Sequence, residues 1–212
     1  MSAILIFLKA PHKGYVKTRL AHDVGPERAL QAYRALVMRQ CSALPTQAQL
    51  EVHYTPSDAG PEMQKWLGHT ASYFPQKEGD LGTRLQGAIE QAFKRGAQTV
   101  TCIGGDCPQL ETKHFEQANQ LLAKGHDIVF GPSEDGGYYL AALKAPIPAL
   151  FQDIPWSTGE TLQVSLQRAR DLQLKVGLLE ALYDIDEVSE LNRALADKRI
   201  QLECLPPDIQ SG

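Results

Sequence analysis

Thr99-Val100-Thr101-Cys102-Ile103-Gly104-Gly105-Asp106-Cys107-Pro108 is the stretch on which the fold turns. Its first half carries no charge and is rich in β-branched residues. A short run of this kind suits a strand buried on both faces. The run stops at two glycines, and an aspartate follows at once. Leu110 and Glu111 then lead into helical spacing over 112–124, closed by Lys124 and Gly125. In open α/β sheets, ligands bind beyond the carboxyl ends of the strands. Asp106 is therefore placed to hold a metal against a ligand. The plain structural alternative is a turn aspartate that caps the next helix.

Outward from this stretch the same order recurs. Strands are predicted over 3–8, 49–54, 71–74, 127–130, 138–143 and 174–178. Helices are predicted over 26–44, 61–67, 83–95 and 188–196, with Pro26 at the first position of its helix. Ser157-Thr158-Gly159-Glu160 has the form of a capping box, opening a helix to about Leu172. Residues 79–82 read as a turn. Strand, loop, helix and glycine in repetition predict right-handed crossovers in a mostly parallel sheet, covered by helices on both faces: a three-layer α/β/α sandwich. The strand at 138–143 follows its predecessor too closely for a helical crossover, so it is expected to run antiparallel and make the sheet mixed.

With 212 residues the chain is large enough for one α/β domain, expected over 1–205 with a frayed tail at 206–212. Composition is ordinary for a globular protein, 43% hydrophobic and 22% charged, and a net charge of -4 argues against nucleic acid as a partner. No apolar run approaches a membrane span, and no basic segment precedes an apolar one at the start. Cys41, Cys102, Cys107 and Cys204 are scattered and read as reduced thiols. A cytoplasmic location is expected.

If the strands ahead of them are parallel, three loops meet at one sheet edge. The first, 9–19, carries Lys9, Lys13, Lys17 and Arg19 with no acid, and Gly14 lets backbone approach a ligand. That chemistry suits a polyphosphate, although Val16 breaks any Walker A pattern. The alternative is a solvated basic loop. The second loop holds Gly105 and Asp106. The third, 131–137, brings Asp135, Gly136 and Gly137, which suit a sugar hydroxyl or an acceptor, and equally a hairpin turn. A further acidic stretch places Asp184 and Asp186 two residues apart, on one side of an extended segment. With Asp106 they would make an all-oxygen site suited to Mg²⁺ or Mn²⁺; N-capping by Asp186 is the alternative.

Taken together, KAPxxGxVKTRL, the Gly-Asp-Leu-Gly-x-Arg-Leu segment at 79–85, IGGDCP, GPxxDGGYYL and IPWSTGETL resemble a bacterial family of GT-A-type glycosyltransferase-like proteins, long catalogued as a domain of unknown function. The resemblance runs from Ile4 to about Leu191 and places the chain in the nucleotide-diphospho-sugar transferase superfamily. It implies that Lys17 and Arg19 belong to a nucleotide-binding loop and that Arg84 lies near the base or phosphates. It further implies that Asp106 is the metal-binding aspartate, with Asp186 near a second metal carboxylate. Asp135, Gly136, Gly137 and Trp156 match family motifs on the acceptor side. The chain lacks a Leu-Ala-Gly-Gly-x-x-x-Arg-Met loop, which speaks against a molybdenum-cofactor enzyme, and it has a single aspartate at the DxD place.

The expected activity is metal-dependent transfer of a sugar from a nucleotide sugar to a small acceptor. Asp106 and Asp135 would be catalytic, and Lys9, Gly14, Lys17, Arg19, Arg84 and Gly105 would hold the nucleotide. The rival is a nucleotidyltransferase that joins a nucleoside triphosphate to a phosphorylated small molecule and releases pyrophosphate. A non-catalytic nucleotide or sugar sensor is the third possibility.

Overall fold

A computed structural model describes residues 1–202. Seven strands form one sheet: β1 (Ser2–Lys9), β2 (Gln49–Thr55), β3 (Ser72–Pro75), β4 (Thr99–Ile103), β5 (Ile128–Pro132), β6 (Tyr138–Leu143) and β7 (Val176–Leu178), in the order β3-β2-β1-β4-β6-β5-β7. The helices are α1 (Thr18–Val24), α2 (Pro26–Ser42), α3 (Gly60–Leu67), α4 (Leu81–Lys94), α5 (Thr112–Ala123), α6 (Thr161–Asp171) and α7 (Val188–Ala196). The tail at 206–212 and Cys204 lie outside the described residues.

All pairings are parallel except those of β6, which lies antiparallel between β4 and β5. The sheet is mixed, as the short β5–β6 connection requires. Alternate residues of β1 feed opposite cores. Ile4, Ile6 and Leu8 pack with Tyr33 and Val37 of α2, Met63 of α3 and Phe115 of α5. Ala3 and Leu5 pack on the other side with Leu85 and Ile89 of α4 and Ala169 of α6. A third cluster, Leu20, Leu36, Tyr183, Ile185 and Leu191, joins α1, α2 and α7 to the acidic segment at 183–186.

Several local expectations shift. The basic loop is shorter than 9–19, because Thr18 and Arg19 open α1. The turn at 79–82 is partly absorbed into α4, whose first turn is capped by Asp80 accepting from Thr83 N at 2.8 Å. The capping box at 157–160 does not form. Ser157 adopts φ 60°, Thr158 Oγ1 donates to Pro155 O at 2.8 Å, and α6 starts at Thr161 without a side-chain cap. The cause is tertiary: Gly159 lies so close to Gly136 that a Cβ on Gly136 would stand 2.1 Å from Gly159 O.

The order of strands sets the site. From β1 the chain winds outward through β2 and β3, then returns to place β4 on the other side of β1. The crevice outside the carboxyl ends of β1 and β4 is the switch point at which such sheets bind ligands.

Candidate functional site

Two joined cavities open at that crevice. The larger, 560 Å³, is lined by Lys9, Lys17, Arg19 and Arg84, with Tyr33 and Gln76. The smaller, 220 Å³, is lined by Phe7, Leu85, Tyr138, Trp156 and the turn at 133–137. They share Asp106, Asp135, Asp184, Phe7, Leu81, Gly104 and Ser157.

Lys17 is the centre of the charge arrangement. It sits at the N-cap of α1 in a left-handed conformation, φ 48°. Its side chain is 5% exposed. The ammonium pairs with Asp106 Oδ1 and donates to Asp186 Oδ1 at 3.2 Å. Burial opposes its charge, but the Asp106 and Asp186 carboxylates outweigh burial and hold the lysine above its usual pKa. Arg19 reaches the second oxygen of Asp186 at 3.4 Å. The backbone locks the acids in place: Ile185 N donates to Asp106 O at 3.0 Å, and Tyr183 N donates to Gln109 Oε1 at 3.2 Å.

Neither aspartate serves as a helix cap. Glu111 caps α5 in a box with His114, and Glu187 caps α7 in a box with Glu190. Asp184, which lines both cavities, is pushed up to about 7 by burial first, then by Asp106 and Asp135, against the opposing pull of Lys17. Asp135 is oriented by its own hairpin: Oδ1 accepts from Ser133 Oγ at 2.5 Å and from Gly137 N at 2.9 Å.

Arg84 is braced on its own side of the cavity. Its Nε donates to Gly79 O at 2.9 Å and Nη1 to Gln76 Oε1 at 3.2 Å. Gln76 Nε2 in turn donates to His53 O at 2.9 Å and Leu8 O at 3.2 Å, so one amide ties β1, β2 and Arg84 together. Gln76, Tyr33 and Phe7 line the larger cavity without belonging to any motif of the sequence. Gln76 had a signal, a polar residue just past a strand at the loop-bearing edge.

Not every expected residue reaches the cavities. Lys13 pairs with Glu27. Gly14, at φ 78°, is exposed and lines neither cavity. Gly105 does line the larger one, but its lack of a side chain also serves packing, since a Cβ would stand 2.7 Å from Leu8 Cδ2. Gly136 is likewise needed for the loop contact with Gly159, while Gly137 lines the smaller cavity. Trp156 forms a wall there, edge-on to Tyr138 with ring centres 6.1 Å apart.

Among the described residues, no three Asp, Glu, His or Cys side chains form a ready metal cage. The expected trio of Asp106, Asp184 and Asp186 is thus not gathered around one point; Asp106 and Asp186 share the Lys17 ammonium instead. Two carboxylates that already converge on one cation still fit Mg²⁺ or Mn²⁺, which bind through one or two carboxylates together with substrate phosphates.

Solved structures place this geometry in context. A presumed nucleotide-diphospho-sugar transferase from Desulfovibrio desulfuricans G20 superposes with a TM-score of 0.85 at 33% identity, over 92% of this chain and 85% of that one. CMP:2-keto-3-deoxy-manno-octonic acid synthetase, complexed with CTP, gives 0.60 at 15% identity over 94% and 99% of the two chains. The manganese complex of Rv0371c from Mycobacterium tuberculosis H37Rv gives 0.55 at 13% identity over 92% and 97%. The fold is therefore of the nucleotide-diphospho-sugar transferase type. No curated protein matches the chain. No helix among the described residues is long and apolar enough to cross a membrane. A family model described as "Uncharacterized protein conserved in bacteria (DUF2064)" matches residues 37–158, and the chain belongs to that family.

Proposed function

We propose that this chain transfers a sugar from a nucleotide sugar to a small acceptor, in the cytoplasm, as a single domain over 1–205. The observation that carries the reading is the division of the crevice. One cavity gathers the cations, the other has aromatic and apolar walls, and the two meet at Asp106, Asp135 and Asp184. A diphosphate lies naturally among Lys9, Lys17, Arg19 and Arg84, and 560 Å³ is within the range of small-molecule sites.

Asp106 and Asp186 would hold Mg²⁺ or Mn²⁺ together with the donor's phosphates; the ion would supply positive charge to the departing diphosphate as a Lewis acid. Lys17, next to both carboxylates, adds a fixed cation at the same place. Asp135 has one oxygen committed to Ser133 and Gly137, which fixes the group while the other oxygen can accept the acceptor's proton. Trp156 and Phe7 bound the acceptor and keep water from it.

The rival reading is nucleotidyl transfer from a nucleoside triphosphate to a phosphorylated acceptor. The concentration of cations in the larger cavity and the likeness in fold to a CTP-bound protein favour it.

A mass-spectrometric turnover screen with Mg²⁺ or Mn²⁺ separates the two. Nucleotide sugars giving nucleoside diphosphate support glycosyl transfer; triphosphates giving pyrophosphate support the rival. Asp106→Asn should lower turnover by about 10²–10³-fold if charge at the diphosphate is the main term. Near-wild-type turnover in that variant sinks the mechanism.

A further inference from the structure

The smaller cavity carries charge of one sign. Asp106, Asp135 and Asp184 line it, and no Lys, Arg or His does. The cations of the crevice, Lys9, Lys17, Arg19 and Arg84, line the larger cavity instead. The same cavity is lined by Phe7, Leu85, Ile103, Ala141 and Trp156. The ring of Tyr138 belongs to the same wall, held between Phe130 at 4.8 Å and Trp156 at 6.1 Å between ring centres.

Three of the hydroxyls around the slot are committed, while the Tyr138 hydroxyl and Trp156 Nε1 are buried without a partner among the described residues. Thr158 and Thr161 both donate to Pro155 O at 2.8 Å, and Ser133 donates to Asp135. A phosphate or carboxylate seeks guanidinium, ammonium or clustered N–H donors. Here it would meet Asp135, which has no cationic partner among the described residues, beside an apolar wall; the Asp106 carboxylate is already paired with Lys17. Like charges set opposite one another are a common means of rejecting wrong partners.

We infer that the acceptor is an uncharged or cationic molecule with a ring-sized apolar body and an alcohol or amine nucleophile, and that phosphorylated or carboxylate acceptors are rejected. The inference rests on the transferase reading above and separates its two forms. Nucleotidyl transfer to a phosphorylated acceptor needs a dianion beside Asp135 in a slot that no Lys, Arg or His lines, whereas glycosyl transfer to a neutral acceptor does not. In the transfer, the O–H of an alcohol acceptor, or an N–H of an amine that has already given its ammonium proton to solvent, breaks as its O or N bonds to the sugar's anomeric carbon. The proton passes to Asp135. The bond from that carbon to the diphosphate oxygen breaks, and its electron pair leaves with the diphosphate.

The test reads the slot without turnover. Trp66 packs on Tyr33, with ring centres 5.9 Å apart, and does not line the slot. Trp66→Phe leaves Trp156 as the sole tryptophan. Its fluorescence is followed in the full chain on titration with benzyl alcohol, benzylamine and benzyl phosphate, with and without Mg²⁺. Should Trp66→Phe fail to fold, the Trp156 indole N–H resonance of the wild-type chain serves as the readout.

The alcohol and amine should bind with Kd of about 1 mM, a normal strength for ligands of this size. Benzyl phosphate should bind about tenfold more weakly or worse. Asp135→Asn should narrow the gap between amine and phosphate severalfold. Benzyl phosphate binding as well as the alcohol overturns the inference, and so does failure of all three probes to bind. A chain that ranks the probes as expected yet transfers nothing overturns the transferase reading instead. Turnover confined to phosphorylated acceptors overturns the slot chemistry and leaves the transferase reading standing.

Discussion

Replacing Lys17 with Met removes the one cation that Asp106 and Asp186 share while keeping most of the apolar stem. Breaking a fully buried ion pair by deleting one partner costs about 3–5 kcal/mol. Here the lysine is 5% exposed, but the carboxylates of Asp106 and Asp186 are 46% and 47% exposed and can rehydrate. Solvent screening therefore brings the expected loss down to about 1–3 kcal/mol. For a domain of this size that is a fall in Tm of about 2–12 °C.

The sign of the pH dependence follows from the raised pKa of Lys17. A lysine whose folded value lies above its unfolded value contributes fully below the unfolded value of about 10.4. That contribution is lost as pH rises through the folded value. Urea midpoints of wild type and Lys17→Met should thus differ from pH 6 to 9, by more above pH 7, where Asp184 is ionised and the variant lacks the pull of Lys17 on it, and should converge only in strong alkali. Without nucleotide, the variant should also bind Mg²⁺ or Mn²⁺ about tenfold more tightly by calorimetry, because an ammonium no longer competes for the two carboxylates. Equal midpoints together with equal metal affinity would refute Lys17 as the counter-ion of this site.

Three other perturbations probe separate parts of the molecule. Arg84→Met, by removing a braced guanidinium from the donor cavity, should raise the donor KM about 10–100-fold with little change in kcat; a kcat effect alone would contradict its placement. Gly136→Ala forces a Cβ to within 2.1 Å of Gly159 O at φ 88°, so it should destabilise by about 2–4 kcal/mol and weaken acceptor use more than donor hydrolysis; a neutral change in Tm would show that the two loops do not pack this way. Glu51 is fully buried in β2. Burial tends to raise its pKa, but His53 and Arg95 more than compensate, with Arg95 donating at 3.1 and 2.6 Å, and hold it below the usual value. Its contribution is present above the unfolded value of about 4.3 and is lost as pH falls through the folded one. Glu51→Gln should therefore cost about 2 kcal/mol at pH 7 and nearly nothing in acid, and a gap that widens on acidification would refute the assignment.

Local signals carried most of the fold. The uncharged run at 99–103 became β4 with those bounds, because a strand buried on both faces must be apolar throughout its length. The spacing at 188–196 became α7, and the short connection before 138–143 required β6 to run antiparallel. Where distant chain meets, the same local reasoning failed. Ser157 has the sequence of a cap but is turned aside by the contact between Gly136 and Gly159. Lys17, read as one of several cations in a loop, is the buried one, paired with carboxylates 89 and 169 positions away along the chain.

The sequence by itself determined which residue types stand at the loop-bearing edge of the sheet, since strand direction follows from the length of the connections and element order from the hydropathy pattern over a few residues. Only the tertiary structure decided which charges face one another. It put Lys17 between Asp106 and Asp186, raised Asp184, and kept cations out of the smaller cavity. Charge energies depend on distance and burial. Both are set by the packing of segments remote in sequence, so no local pattern encodes them.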